Sequence, residues 1–66
     1  MFQVHALYDF DAQPDTGELS LVAGEVLTLT RTDVGEGWWE GQNLRGEVGL
    51  FPEAYVEVDS DLSCNY

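Results

Sequence analysis

Apolar and polar positions alternate with a period of two in short runs, broken by clusters of Gly, Pro, Asp and Asn. Phe2, Val4 and Ala6 alternate with Gln3 and His5, which predicts a half-buried strand leading into an aromatic pair, Tyr8 and Phe10. Asp11-Ala12-Gln13-Pro14-Asp15-Thr16-Gly17 is rich in turn formers and predicts a long loop or irregular hairpin, with acidic residues at 11, 15 and 18. Alternation resumes at Glu18-Leu19-Ser20-Leu21. Val22-Ala23-Gly24-Glu25 reads as a turn in which Gly24 is available for a positive φ. Val26-Leu27-Thr28-Leu29-Thr30 is a β-branched strand whose Leu27 and Leu29 share the inward face. A second acidic loop is expected at residues 32–37, a third strand at 38–42, and a tight hairpin turn at Asn43-Leu44-Arg45-Gly46. A fourth strand follows at 47–51 and stops at Pro52, which cannot donate to a ladder. Pro52-Glu53-Ala54-Tyr55 has room for one short 3-10 turn, after which Val56-Glu57-Val58 resumes a strand. Five short strands with no sustained helical period predict an all-β fold, a small five-stranded barrel. The domain is expected to occupy residues 1–58, with 59–66 as an acidic tail or linker.

The stretch Glu36-Gly37-Trp38-Trp39-Glu40-Gly41 stands out within this pattern. Successive side chains on a strand point to opposite faces, so Trp38 and Trp39 cannot both enter one small core. Tyr8, Phe10, Trp38 and Tyr55 together with Phe2, Phe51 and Trp39 would overfill so short a barrel, although aromatic residues are more often core than surface. Some of them must face outward. An outward indole beside carboxylates offers a flat apolar face, an N–H donor and a negative field, which suits an extended, proline-containing, cationic peptide.

Composition narrows the classes of partner. At 66 residues there is room for one modest core, and an enzyme with a deep pocket is not expected. A hydrophobic share of 44% argues for a folded chain in spite of a formal charge of −11. Thirteen Asp and Glu stand against Arg31 and Arg45 with no lysine, a balance that repels phosphate backbones and anionic lipid. Direct nucleic-acid or membrane binding is therefore disfavoured, including the reading of an oligonucleotide-binding barrel whose aromatics stack bases. Cys64 is the only cysteine, so no intrachain disulfide can form, and a cytoplasmic setting is expected. No leader or membrane span is read in the chain. His5, the only histidine, falls on the polar parity of its strand and is given no role, and no metal or other cofactor is expected. Serine-nucleophile and phosphate-loop motifs are absent, and carboxylate pairs such as Asp9 and Asp11 are expected by chance in so acidic a chain.

The ordered blocks resemble a family, the SH3 domains. Ala6-Leu7-Tyr8-Asp9-Phe10 is similar to their ALYDY motif and Gly24-Glu25 to their diverging turn. Gly37-Trp38-Trp39 is similar to their tryptophan pair, and Gly49-Leu50-Phe51-Pro52 with Tyr55-Val56 to their closing segment. Within the family the sequence is most similar to the amino-terminal SH3 domains of the phox-homology/BAR sorting nexins. The shared positions are Asp33-Val34-Gly35, Gly37-Trp38, Glu40-Gly41, Asn43, Gly46-Glu47, Gly49-Leu50, Pro52 and Tyr55-Val56-Glu57.

The resemblance implies a monomeric, non-catalytic module that binds proline-rich (PxxP) polyproline II segments carrying Arg or Lys. Tyr8, Phe10, Trp38, Pro52 and Tyr55 would form the ridges that receive X-Pro pairs, and a polyproline II ligand loses little entropy on docking because it is already ordered. Glu18, helped by Asp15 and Glu36, would receive the ligand's cation, with Trp38 as one wall; the binding charge is placed there rather than on Glu40. Three positions depart from the family pattern: Leu50, also expected in the binding surface, stands where many members have tyrosine, Ala54 where many have asparagine, and Phe10 where the second motif tyrosine is usual. With fewer polar anchors, charge is expected to contribute a larger share of selectivity. The subfamily implies a setting in endocytosis, membrane trafficking and actin remodelling, with dynamin-like or Wiskott-Aldrich-type proteins as partners. A basic segment without proline pairs, or a folded surface, bound through the same acidic loops is the alternative.

Overall fold

The computed structural model describes residues 2–59, so Cys64 and the rest of the expected tail beyond Asp59 lie outside the described residues. Five strands form one antiparallel sheet: β1 (Gln3–Ala6), β2 (Val26–Gly35), β3 (Trp38–Gln42), β4 (Val48–Pro52) and β5 (Val56–Val58), in the spatial order β4-β3-β2-β1-β5. A single 3-10 turn, Glu53–Tyr55, separates β4 from β5. The period-two reading therefore holds for element number, order and type.

The core collects the inward parity of each segment. Val4 and Ala6 of β1, Leu27 and Leu29 of β2, Phe51 of β4 and Val56 of β5 are buried together with Leu19 and Leu21 from the loop before β2. Phe51 is fully buried, and Phe10, Trp39 and Tyr55 pack against the cluster from outside. Phe51 is thus the one fully buried aromatic among the described residues, in keeping with the expectation that some of the rings must face outward.

Three expected boundaries move, the first being β4, which spans Val48–Pro52 rather than 47–51 and so takes in Pro52 as its last residue. Residues 32–35, read as loop, belong to β2, which pairs with β3 as far as Gly35↔Trp38 through two irregularities of register, between Leu29 and Arg31 and between Arg31 and Gly35. Residues 30–33 are all exposed, so no apolar alternation marked the strand. Glu36 and Gly37 then make the turn, with Gly37 at φ +83°. Phe2, read as the first inward residue, is 65% exposed. It borders an apolar hollow of about 410 Å³ with Leu29, Thr32, Trp39 and Val58.

His5 was expected to be merely solvated. Its Nδ1 donates to Asp59 Oδ1 at 2.6 Å, and its Nε2 lies 3.6 Å from Glu57 Oε1, its register partner on β5. Asp59, expected to open the tail, also extends the β1–β5 ladder by donating its N–H to Gln3 O at 2.9 Å. Histidine and the two carboxylates meet because they share one face of adjacent strands, a proximity that sequence separation hides.

Candidate functional site

The residues before and after β2 are stitched together so that the segment after β1 becomes a wall of the site. Phe10 and Leu21 exchange both backbone bonds, at 3.0 and 2.8 Å, closing the base of the long loop. Asp9 accepts from Ala23 N–H at 2.8 Å and thereby fastens the turn at Gly24. At the far end the loop is tied to β4: Leu19 N–H donates to Leu50 O at 2.7 Å, and Leu50 N–H donates to Gly17 O at 2.9 Å. Gly49 permits that approach, because a Cβ there would stand 2.9 Å from Gly17 O and from Leu19 N and Cβ.

Inside the loop, Thr16 donates to Gln13 O at 2.7 Å, and Glu18 N–H points at the Thr16 hydroxyl at 3.3 Å. Gln13 N–H donates to Glu18 Oε1 at 3.1 Å, which orients the carboxylate. Asp15 sits at the exposed tip with φ +63°, a conformation that Asp tolerates better than most residues.

Four aromatic rings run side by side across the surface. Tyr8 meets Tyr55 edge-on at 5.7 Å, Tyr55 meets Phe10 at 5.6 Å, and Phe10 meets Trp38 at 6.3 Å, with interplanar angles of 82°, 75° and 69°. Edge-to-face packing at these separations is favourable and fixes ring orientation while leaving the outer faces open. Tyr8 remains 59% exposed, and Phe10, Trp38 and Tyr55 are half-buried. Pro52 lies beside Trp38 as its register partner on β4, and Glu53 N–H donates to Gly37 O at 2.9 Å, which holds the 3-10 turn against the β2–β3 hairpin.

Beyond Trp38 the row ends in a depression of about 200 Å³ lined by Thr16, Glu18, Val34, Gly35, Trp38 and Leu50. The structure thus brings Tyr8, Phe10, Trp38, Pro52 and Tyr55 into one ridge system and Glu18 and Leu50 to its end. Asp15 and Glu36 are exposed beside it in the chain, at the loop tip and the hairpin turn, but do not line the depression. Thr16, Val34 and Gly35 were not among the expected binding residues, although Val34 and Gly35 belong to the run shared with the sorting nexins. Val34 had a signal, being the one apolar residue in an otherwise polar stretch from 30 to 37.

The charge around the site is uncompensated. Arg31 is engaged with Asp33 at 3.2 Å, and Arg45 with Glu25 and Glu47 at 3.8 and 3.4 Å, while His5 faces Glu57 and Asp59. The Arg31 hydrogen bond and charge hold the Asp33 carboxyl below its ordinary range. Glu40, beside Trp38 in sequence, accepts from the Thr30 hydroxyl at 2.6 Å. Glu18, Asp15 and Glu36 have no cationic partner among the described residues. Nor do the described residues contain a group of three or more His, Cys, Asp or Glu placed to hold a metal ion. No helix among them is long and apolar enough to cross a membrane.

A five-stranded antiparallel barrel with a 3-10 turn before its last strand and an open aromatic row ending at a carboxylate that has no cationic partner among the described residues defines a small, surface-recognition β-module. The chain belongs to the SH3 family: the family model described as "Variant SH3 domain" matches residues 6–57. Members of this family are non-catalytic interaction modules that bind proline-rich peptides. Among curated proteins, sorting nexin lst-4 of Caenorhabditis elegans is 64% identical over 85% of the chain, and sorting nexin-18 of Mus musculus is 50% identical over the same share. The chain spans about a tenth of the length of these relatives, 10% and 9%. Among solved structures, the C-terminal SH3 domain of myosin IB from Entamoeba histolytica bound to the EhFP10(GEF) peptide superposes with a TM-score of 0.75 at 38% identity, covering 86% of this chain and 80% of that one.

Proposed function

We propose that this domain binds proline-rich segments carrying an arginine or lysine, and that it serves as a non-catalytic adaptor in endocytosis, membrane trafficking and actin remodelling. The observation that carries the reading is the continuous row Tyr8–Tyr55–Phe10–Trp38 ending at the depression with Glu18. Clefts between edge-packed rings accept the flat faces of successive X-Pro pairs, and the polyproline II helix, which has no internal hydrogen bonds to break, is already ordered before it docks. A cation flanking the prolines would stack on the indole of Trp38 and face Glu18, an arrangement that adds roughly 0.5–1 kcal/mol at an exposed site. Asp15 and Glu36 act at longer range, raising the local concentration of basic ligands by an attraction that weakens as ionic strength rises.

The close relatives being sorting nexins supports a trafficking role at endocytic or vesicle membranes, with dynamin-like or Wiskott-Aldrich-type proline-rich regions as ligands to test. The decisive experiment is titration of such peptides with each proline and each basic residue replaced in turn, beside the Trp38→Lys domain. Trp38→Lys should abolish binding while circular dichroism and thermal unfolding stay close to wild type. Normal binding by that variant would remove the groove. Binding that survives loss of all prolines but not of the basic residue would establish a basic segment as the ligand instead.

A further inference from the structure

We infer that Gly35 is a specificity-determining position, a glycine that keeps the depression beside Trp38 open to a bulky cationic side chain of the ligand; this rests on the groove reading above. The chain has seven glycines, and six have a visible structural cause. Gly17, Gly24, Gly37 and Gly46 adopt φ between +78° and +91°, where side chains with a Cβ are strained. Gly41 and Gly49 are packed so closely that a Cβ would stand 2.9 Å from a neighbour. Gly35 has neither cause: its φ lies outside that region, and a Cβ there would meet nothing within 4 Å.

Glycine at such a site costs stability, because it loses more backbone freedom on folding than other residues and packs nothing against the sheet. The position nevertheless lies on the wall of the depression, between Val34 and the turn at Glu36-Gly37. Gly35 and Trp38 are direct register partners across the β2–β3 hairpin. Directly opposed residues of an antiparallel pair project to the same face, so a side chain at 35 would stand beside the indole that walls the depression. Since nothing of the protein occupies that space, a side chain there would take up room that is otherwise open to a ligand. The chemistry of the remaining wall says which ligand: Val34, Leu50 and Trp38 suit an aliphatic stem and a planar head, and Glu18 a positive charge.

The test is Gly35→Ala and Gly35→Val, each measured for thermal stability and for affinity toward two peptides, a proline-rich segment with its arginine and the same segment with that arginine replaced by alanine. Both variants should melt at or above the wild-type temperature. Gly35→Val should bind the arginine peptide about tenfold more weakly than wild type, with Gly35→Ala between, while the alanine peptide binds all three alike. Equal affinity of wild type and Gly35→Val for the arginine peptide would overturn the inference. So would a clear loss of stability in both variants, since the glycine would then have a structural cause. Failure of wild type to bind either peptide would instead overturn the proline-rich reading on which the inference rests.

Discussion

Replacing Gly49 by alanine tests whether contact with β4 is what holds the acidic loop, and with it Glu18, in place. A Cβ at 49 would stand 2.9 Å from Gly17 O, Leu19 N and Leu19 Cβ, atoms that belong to the loop backbone or sit directly on it and so cannot rotate away. Non-bonded heavy atoms are at ease at about 3.5 Å or more, so the loop must retreat by roughly 0.6 Å. That retreat would stretch two bonds that flank position 49, Leu19 N–H to Leu50 O at 2.7 Å and Leu50 N–H to Gly17 O at 2.9 Å. Both would pass beyond the outer limit of about 3.2 Å for a sound N–H···O bond. Weakening two hydrogen bonds costs about 1–3 kcal/mol, and overpacking a filled site costs a similar amount. Because these describe one relaxation seen from two sides, the expected loss is about 2 kcal/mol rather than their sum. In a domain of this size that lowers Tm by roughly 8–16 °C. Thermal and urea unfolding followed by tryptophan fluorescence would measure it, with Gly41→Ala as comparison. A Cβ at 41 would strike the buried Phe51 ring at 2.9 Å and Thr28 O at 3.1 Å, so it should destabilise without shifting Glu18. Folded Gly49→Ala should therefore lose affinity for the arginine peptide, and folded Gly41→Ala should keep it. A Tm within about 2 °C of wild type for Gly49→Ala would refute the claim that the loop is held by this contact.

Glu18→Gln keeps an oxygen to accept the Gln13 N–H and so should leave the loop in place. Isothermal titration at low salt should show roughly two- to fivefold weaker binding of a basic proline-rich peptide, with the gap closing as salt rises; identical affinity at low salt would contradict a charge role for Glu18. Asn43 is buried at 4% exposure, and its Oδ1 accepts from Arg45 N–H at 2.9 Å and Glu47 N–H at 3.0 Å. Asn43→Ala should cost about 1–3 kcal/mol in urea unfolding at neutral pH, because both donors lose their acceptor. The same variant has a signature in acid: the Asn43 amide first, and then the Arg45 charge, hold the Glu47 carboxyl below its ordinary value of 4.5. A carboxylate depressed in the folded state contributes stability that is complete above the unfolded value and is lost as pH falls through the folded one. Its window therefore lies at and below about pH 4.5. Carbonyl NMR titration of Asn43→Ala should show the Glu47 midpoint rising toward the ordinary value, and an unmoved midpoint would contradict the stated cause.

What could be read from the chain and what could not divide along a physical line. Alternation reports which face of a strand meets the core, so Val4, Ala6, Leu27 and Leu29 were readable as inward residues. It fails where a strand is exposed on both faces, as between Thr30 and Asp33, and there β2 was mistaken for loop. It also says nothing of which loops meet. Glu18 and Leu50 were expected in the site, but the bridge between them and the three other wall residues, Thr16, Val34 and Gly35, depend on the loop folding back onto β4. His5 failed for the same reason, since its carboxylate partners lie more than fifty positions away in sequence.

The adjacent tryptophans show how a local rule and a long-range contact combine to make the site. Opposite parity puts the two indoles on opposite faces, and the pairing of Trp39 with the buried Phe51 puts Trp39 on the core side, where it packs against the buried cluster, leaving Trp38 to the ridge. Parity does not, however, set the width of the depression that Trp38 walls. One wall, Glu18, is bridged to Leu50 of β4, which pairs with Glu40 of β3; the other, Gly35, is the register partner of Trp38 on that same β3. Both walls are thus fastened to β3, one through β4 and the other directly, by ladder pairing, and neighbouring strands keep a spacing of about 4.8 Å. The depression is consequently dimensioned by the ladder rather than by the reach of its side chains. A change of ligand preference is for this reason to be sought in what projects from positions 18, 34, 35 and 50, and a change of stability in the residues, Gly49 foremost, that let the walls attach.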